Sequence, residues 1–246
     1  MIFTLLKIEI LKTRRSLALM TMLACPFMVV LLNTGMLLKS GQLNVASALP
    51  WQNFWMGNLA LWCHFMLPLY IALLTGLING NEHRNHTWRL MLTLPITHRQ
   101  LYLAKLLLAL CLVAGADVGL MLLCGAVLGV FVLCGYPLAG NIDLAFVTTL
   151  LKISVASLPI VIIQHAVSTR FSNIVMPLAL GIIATMGILQ LGNSEYWRFF
   201  PWSYTLMALN GSAVEMQTSA LGLAIAVGLP ALVLSSIWLE RREIKD

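Results

Sequence analysis

The sequence predicts an all-α, polytopic membrane protein, and three observations carry that prediction. Of the 246 residues, 60% are hydrophobic and only 10% are charged, where a soluble domain has about 25% charged residues. Mean hydropathy is +0.90, the value of a chain whose solvent is mostly lipid. Stretches at roughly 17–38, 56–79, 100–134, 144–169, 173–192 and 217–239 each reach the ~20 mostly apolar residues that a membrane-crossing helix needs. Six spans in one transmembrane domain, 1–246, are therefore expected. A net charge of +6 would suggest nucleic acid in a soluble domain. In a membrane protein it reports orientation, so no nucleic-acid partner is expected.

The charges orient the spans. With both termini cytoplasmic, twelve of the fifteen Lys and Arg residues fall inside, Lys39 and Arg198 fall outside, and Lys152 lies within a span. Positive residues gather on the cytoplasmic side, and two basic termini require an even number of spans. Ala46-Ser47-Ala48 has the look of a signal-peptidase site, but the apolar run before it is too long for a signal peptide and five further spans follow. Cleavage is not expected.

Taken in order, residues 1–15 predict a short interfacial helix. Ile2, Leu5, Leu6, Ile8 and Leu11 share a broad face, and Lys7, Lys12, Arg14 and Arg15 fall mainly elsewhere. The third apolar stretch is too long for hydrocarbon alone, so it starts in the cytoplasm or at the interface. The fourth and fifth are separated only near Arg170–Asn173 and must form a tight hairpin. The segment 193–216 is rich in aromatic residues around Pro201, and with Trp197, Phe200 and Trp202 it reads as a re-entrant outer interfacial belt or gate. Trp51, Phe54 and Trp55 read as part of the same level. Pro26, Pro68, Pro159, Pro177 and Pro230 fall within five of the six spans, which lipid-embedded helices tolerate.

The most polar block, NGNEHRNHTWRLMLTLPITHRQ at 79–100, interrupts this pattern. Asn79 and Glu82 have the spacing of a capping box, no Gly or Pro occurs from Glu82 to Leu94, and Trp88, Met91 and Leu92 share a helix face. Pro95 ends the run. Thr97 and Gln100 form a stricter capping box, with Ile96 and Leu101 placed as a hydrophobic staple. The block thus predicts helix, corner, helix. Glu82 is its only acid, and Arg99 or Lys105 across the corner is its expected partner. His83, His86 and His98 are split by Pro95 and lack Cys or carboxylate neighbours, so no metal site is expected.

The pattern Glu82, Asn85, Trp88, Arg89, Leu92, Pro95 between two spans, followed by a basic helix start, resembles the permease subunits of ABC type-2 exporters. Lys7, Glu9 and Lys12 resemble that family's amphipathic opening. The nearest group is the lantibiotic-immunity and bacitracin-resistance type. That resemblance implies a coupling helix at 82–95, carried by Glu82, Arg84, Asn85, Trp88, Arg89, Leu92 and Pro95, docked on separate ATPase subunits in two copies. It implies a second permease, identical or related, and an amphiphilic or peptide substrate. It also implies the bacterial inner membrane. The chain has no GxxxxGK[ST] phosphate loop, so ATP and Mg belong to the partner and no cofactor to this chain.

Polar groups within the spans are costly and are candidates for a cavity or a permease–permease interface. They are Asn58, His64, Asp117 and Lys152. Asp117 and Lys152 differ in depth by roughly 12 Å at 1.5 Å per residue, which disfavours a direct bridge, whereas His64 matches Lys152 in depth and the two are candidates, with Asn58, for one polar patch. The five cysteines read as small buried hydrophobes. Two other classes stay open. A secondary transporter would need internal repeats and midplane acids, and Asp117 is the one good acid. An intramembrane enzyme would need a matched dyad, and Ser154 and Ser157 lie over two turns from His165.

Overall fold

A computed structural model describes residues 2–14, 16–40, 49–84, 97–139, 145–171, 173–192, 194–210 and 214–240. Helix α1 spans Ile2–Thr13 and α2 spans Leu17–Lys39, with Ser16 accepting from the Ala18 N–H at its start. Helix α3, Trp51–Leu61, runs through a π-helical turn, Trp62–Met66, into α4, Leu67–Arg84. Helix α5 is Leu-rich and runs unbroken from His98 to Leu133. Helices α6, Ala145–Ala156, and α7, Leu158–Arg170, form one bent span. Helix α8 is Val175–Leu191, the short α9 is Tyr204–Leu209, and α10 is Val214–Glu240. Two-residue strands, Leu49–Pro50 and Leu138–Ala139, pair in parallel.

Five of these segments are long and apolar enough to cross a bilayer: α2, α3–α4, α5, α6–α7 and α10. The sixth, α8, is equally apolar but has 17 residues. At 36 residues, α5 is about 54 Å long, against a hydrocarbon core of about 30 Å. It must project from the membrane, as its length in sequence required.

The proline positions explain the irregular turns. Pro68 has no N–H for the carbonyl of His64, and just before it the Leu67 N–H reaches back five residues to the Trp62 carbonyl. Pro159 likewise has no N–H for Val155, and α6 gives way to α7 at Ser157.

The core is built on α4. Leu67, Tyr70, Ile71 and Leu74 are fully buried there, against Leu108, Leu112 and Ala116 of α5 and Ile160 and Val161 of α7. Helix α5 also receives α1 and α2 along its length, and α7 lies between α4 and α10. Apolar side chains of α2, α8 and α10 face outward, Leu31, Ile183 and Leu234 among them. That is the surface a bilayer accepts. Cys63 and Cys124 are buried as expected, but Cys111 and Cys134 are exposed. Their helix positions, at the outer side of α5, decide this rather than their chemistry.

Small residues set the closest approaches. A Cβ on Gly181 of α8 would lie 2.3 Å from the Ala72 Cβ of α4. The obstructing atom is fixed to backbone, so the helices themselves must part. Gly181→Ala is expected to cost about 3 kcal/mol, the upper part of the range for overpacking, read as a lowered thermal unfolding midpoint in detergent. Ala72→Gly in the same chain is expected to restore most of the loss. An unchanged midpoint in the single variant would rule out this packing.

Candidate functional site: the basic end of the bundle

The segment singled out by sequence lies between the end of α4 and the start of α5. Asn85, Trp88, Arg89, Leu92 and Pro95 lie outside the described residues, and so do the side chains of Glu82 and Arg84. Both flanks are described. Thr97 caps α5 in a full capping box: its hydroxyl accepts from the Gln100 N–H, and the Gln100 side chain accepts from the Thr97 N–H, each at 3.3 Å. This is the box expected from sequence.

The other box did not form. The backbone is helical without interruption from Leu67 to Arg84, so Asn79 is interior to α4 and caps nothing. Its side chain is fully buried. Its two amide hydrogens are shared among three acceptors, the Thr75 carbonyl of its own helix at 3.1 Å and, across to α7, the Ser168 hydroxyl and His165 Nδ1, the latter at 3.1 Å. Tertiary partners took the amide that local spacing had assigned to a cap.

His165 completes the link. The Tyr102 carbonyl can only accept, so His165 Nε2 carries the hydrogen and Nδ1 is the acceptor that faces the Asn79 amide. Nε2 then donates to the Tyr102 carbonyl of α5 at 3.3 Å, and the two rings lie 4.7 Å apart. One neutral imidazole on α7 therefore ties the last turns of α4 to the first turns of α5, the two helices that flank residues 85–96. The Tyr102 hydroxyl continues the chain to Ser235 of α10 at 2.9 Å. His165 does not serve Ser154 or Ser157. Ser157 donates to the Ser154 carbonyl and Ser154 to Asp117, so no nucleophile–base pair is assembled from these groups.

Lys105, one turn further along α5, is 1% exposed. Its ammonium donates to Glu9 Oε2 at 2.8 Å, and Lys12 donates to Glu9 Oε1 at 2.8 Å. Sequence had offered Lys105 to Glu82, and the described partner is Glu9 of α1. Burial pushes the Glu9 carboxyl up, but the charge and hydrogen bonds of Lys105, then those of Lys12, outweigh it and hold the group below its ordinary value of 4.5. The pair also sets the rotation of α1. Leu5, Glu9 and Thr13 face the bundle, while Ile8 and Leu11 face away. The interfacial helix expected from sequence therefore keeps Ile8 and Leu11 on its outward side, while Leu5 of the same apolar set turns inward beside Glu9. The buried ion pair fixes that rotation, since leaving either charge unpaired is costly. The Lys7-Glu9-Lys12 spacing was the available signal, but nothing local marks Lys105 as its target.

The intramembrane groups take separate partners. Asp117 accepts from the Trp62 indole at 2.9 Å and from Ser154 at 2.6 Å. Lys152 donates to Gln217 of α10 at 2.9 Å, whose amide donates to the Asn210 carbonyl. Asn58 donates to the Phe54 carbonyl and His64 Nδ1 bonds the Ala60 carbonyl, each within its own helix. Equal depth did not join His64 to Lys152, and the patch expected with Asn58 is not hydrogen-bonded together, because a helix at one depth still has several faces.

At the opposite end the aromatic segment is folded. Trp197 is buried against Tyr204, with the rings edge to face at 6.3 Å. Ser203 donates to the Trp197 carbonyl and Tyr204 to the Arg198 carbonyl. Phe200 stacks on Trp202 and leans on Gly187 of α8. Tyr196 and Phe199, 68% and 84% exposed, are the outermost rings; of the three expected from sequence, Trp197 is buried and Phe200 and Trp202 are half-buried. Trp51, Phe54 and Trp55 are buried around Phe146 and Phe131, so they are core and not belt.

Against this geometry, the family comparison is decisive. A family model described as "ABC-2 family transporter protein" matches residues 5–188, three-quarters of the chain. The chain belongs to the ABC-2 transporter family. It is therefore the permease component of an ABC transporter, a membrane part that is not itself catalytic and that works with an ABC ATPase. The match takes in α1 from Leu5 onward, the polar block and the whole Asn79–His165–Tyr102 link. Comparison with curated proteins finds no match.

Proposed function

We propose that this permease serves an ATP-driven exporter, receiving force from two ATPase subunits docked on residues 82–95 and passing it to the spans. Six spans with both termini cytoplasmic in a bacterial inner membrane agree with the positive-inside distribution. A second permease, identical or related, completes the pathway. The substrate is an amphiphilic or peptide molecule, of the lantibiotic or other antimicrobial kind, removed for self-immunity. No cofactor is held by this chain, and ATP and Mg reside in the partner.

The observation that carries the proposal is the clamp at the root of the polar block. His165 joins α4 to α5, and the Glu9–Lys105 pair joins α5 to α1. A push on residues 82–95 would enter two spans at once and spread to α1, α7 and α10. In this reading Trp88 and Leu92 supply the apolar contact, and Glu82, Arg84, Asn85 and Arg89 the polar ones, with Pro95 making the corner. Trp88→Asp with Leu92→Asp is expected to abolish copurification of the ATPase subunit while the permease still inserts. Copurification that survives both changes would refute the docking.

One observation keeps a second reading in play. Asp117 is an acid only 3% exposed in the middle of a span, as a secondary transporter working without an ATPase would require. Substrate movement by the chain alone, driven by a proton gradient and indifferent to ATP, would establish that reading in place of the first.

A further inference from the structure

The outward face of α1 carries groups that packing does not use. Phe3 is 78% exposed and Leu11 64%. Ile10 and Lys7 are also exposed. At 100° per residue these four side chains lie within about 100° of one another, and the exposed Arg14 follows them in the terminal turn. Glu9, the one acid between residues 2 and 14, points the other way, is 3% exposed and is held by Lys105 and Lys12. The outward face therefore presents positive charge interleaved with large apolar groups and no acid of its own. It continues directly into the exposed apolar side of α2, through Leu17, Met20 and Leu23.

We propose that this face of α1 is a binding surface for anionic phospholipid headgroups. The reasoning is chemical. Phe3, Ile10 and Leu11 favour the headgroup–acyl boundary, where an aqueous protein surface would leave them exposed. Lys7 and Arg14 can rest their stems on the same apolar layer and hold their charged ends at phosphate level. Each such cation near an anionic surface contributes about 1 kcal/mol, about fivefold in affinity. Bound lipid would press on a helix whose inner side is fastened to Lys105, so the proposal ties lipid composition to the root of the coupling segment. In that respect it rests on the functional reading above.

The test uses the purified full chain in neutral detergent, titrated with short-chain phosphatidylglycerol or with phosphatidylcholine, with bound lipid counted by native mass spectrometry. Wild type is expected to take phosphatidylglycerol first. Lys7→Gln with Arg14→Gln is expected to weaken that first binding event by about twenty-five-fold, fivefold for each charge, and to leave phosphatidylcholine binding unchanged. Both side chains are exposed and outside the Glu9–Lys105 pair, so the variant keeps the fold. Added salt is expected to reduce the wild-type preference, since exposed charges are screened beyond about 10 Å at 0.1 M. Equal binding of the two lipids by wild type, or an unchanged preference in the variant, would overturn the proposal. Lipid affinity in detergent does not depend on ATPase docking or on which side α1 faces. Loss of the docking reading would therefore leave this result standing, and the reverse also holds.

Discussion

Lys105→Met is expected to destabilise the permease by about 3 kcal/mol, among the largest single effects foreseen for this chain. Removing one partner of a buried ion pair typically costs about 3–5 kcal/mol, because the other charge is left without compensation. The lower end applies, since Lys12 still holds Glu9 Oε1 at 2.8 Å. Glu9→Gln with Lys105→Met is expected to recover most of the loss, which a double-mutant cycle would read as a coupling well above the error of such measurements. The pH dependence has a definite sign. Glu9 has a folded value held below 4.5, so its contribution is fully present above about pH 4.5 and is lost as pH falls through the folded value. Glu9→Gln is expected to flatten the acid limb of the stability profile. An acid limb identical in wild type and Glu9→Gln, or a Lys105→Met variant as stable as wild type, would disprove the pairing.

Asp117→Leu is expected to follow closely, at about 3 kcal/mol, while Asp117→Asn costs about 1 kcal/mol. The reason is the inventory of hydrogen bonds. Leucine leaves the fully buried Trp62 N–H without an acceptor, at about 1–3 kcal/mol, and also removes the bond from Ser154. Asparagine keeps one oxygen for Trp62, and its amide donates to the Ser154 hydroxyl, which turns to accept. Unfolding midpoints of the two variants in detergent decide the matter. Equal losses would mean that the volume at position 117, and not its oxygens, is what the core requires. The carboxyl meets two irregular points of the helical framework. Trp62 opens the π turn, and Ser154 stands three residues before the bend at Ser157. A leucine there would remove the cross-link between both.

How much of this could be read in the sequence depends on the range of the interaction. The Thr97–Gln100 capping box and the long unbroken α5 involve groups within a turn or two, and they formed as read. The Asn79–Glu82 box has the same local logic and failed, because Asn79 sits where α7 supplies His165 and Ser168. The rotation of α1 was not legible for a related reason. Hydrophobic periodicity ranks faces by apolar content, but Lys105, ninety-six positions from Glu9, decides which face turns inward. Depth matching paired His64 with Lys152, yet depth fixes height along a helix and leaves its rotation open.

The sequence by itself determined the class of protein, the approximate positions of its apolar segments and the family motif. Each is a property of composition or of short spacing, and lipid as solvent makes composition decisive. Only the tertiary structure decided the partners: Glu9 with Lys105, Asn79 and Tyr102 through His165, Asp117 with Trp62 and Ser154. In a helix nearly every face is apolar when the surroundings are lipid, so the pattern carries little information about which face meets which neighbour. The few polar groups then choose, because a buried charge or donor left alone costs more than any rearrangement of aliphatic contacts.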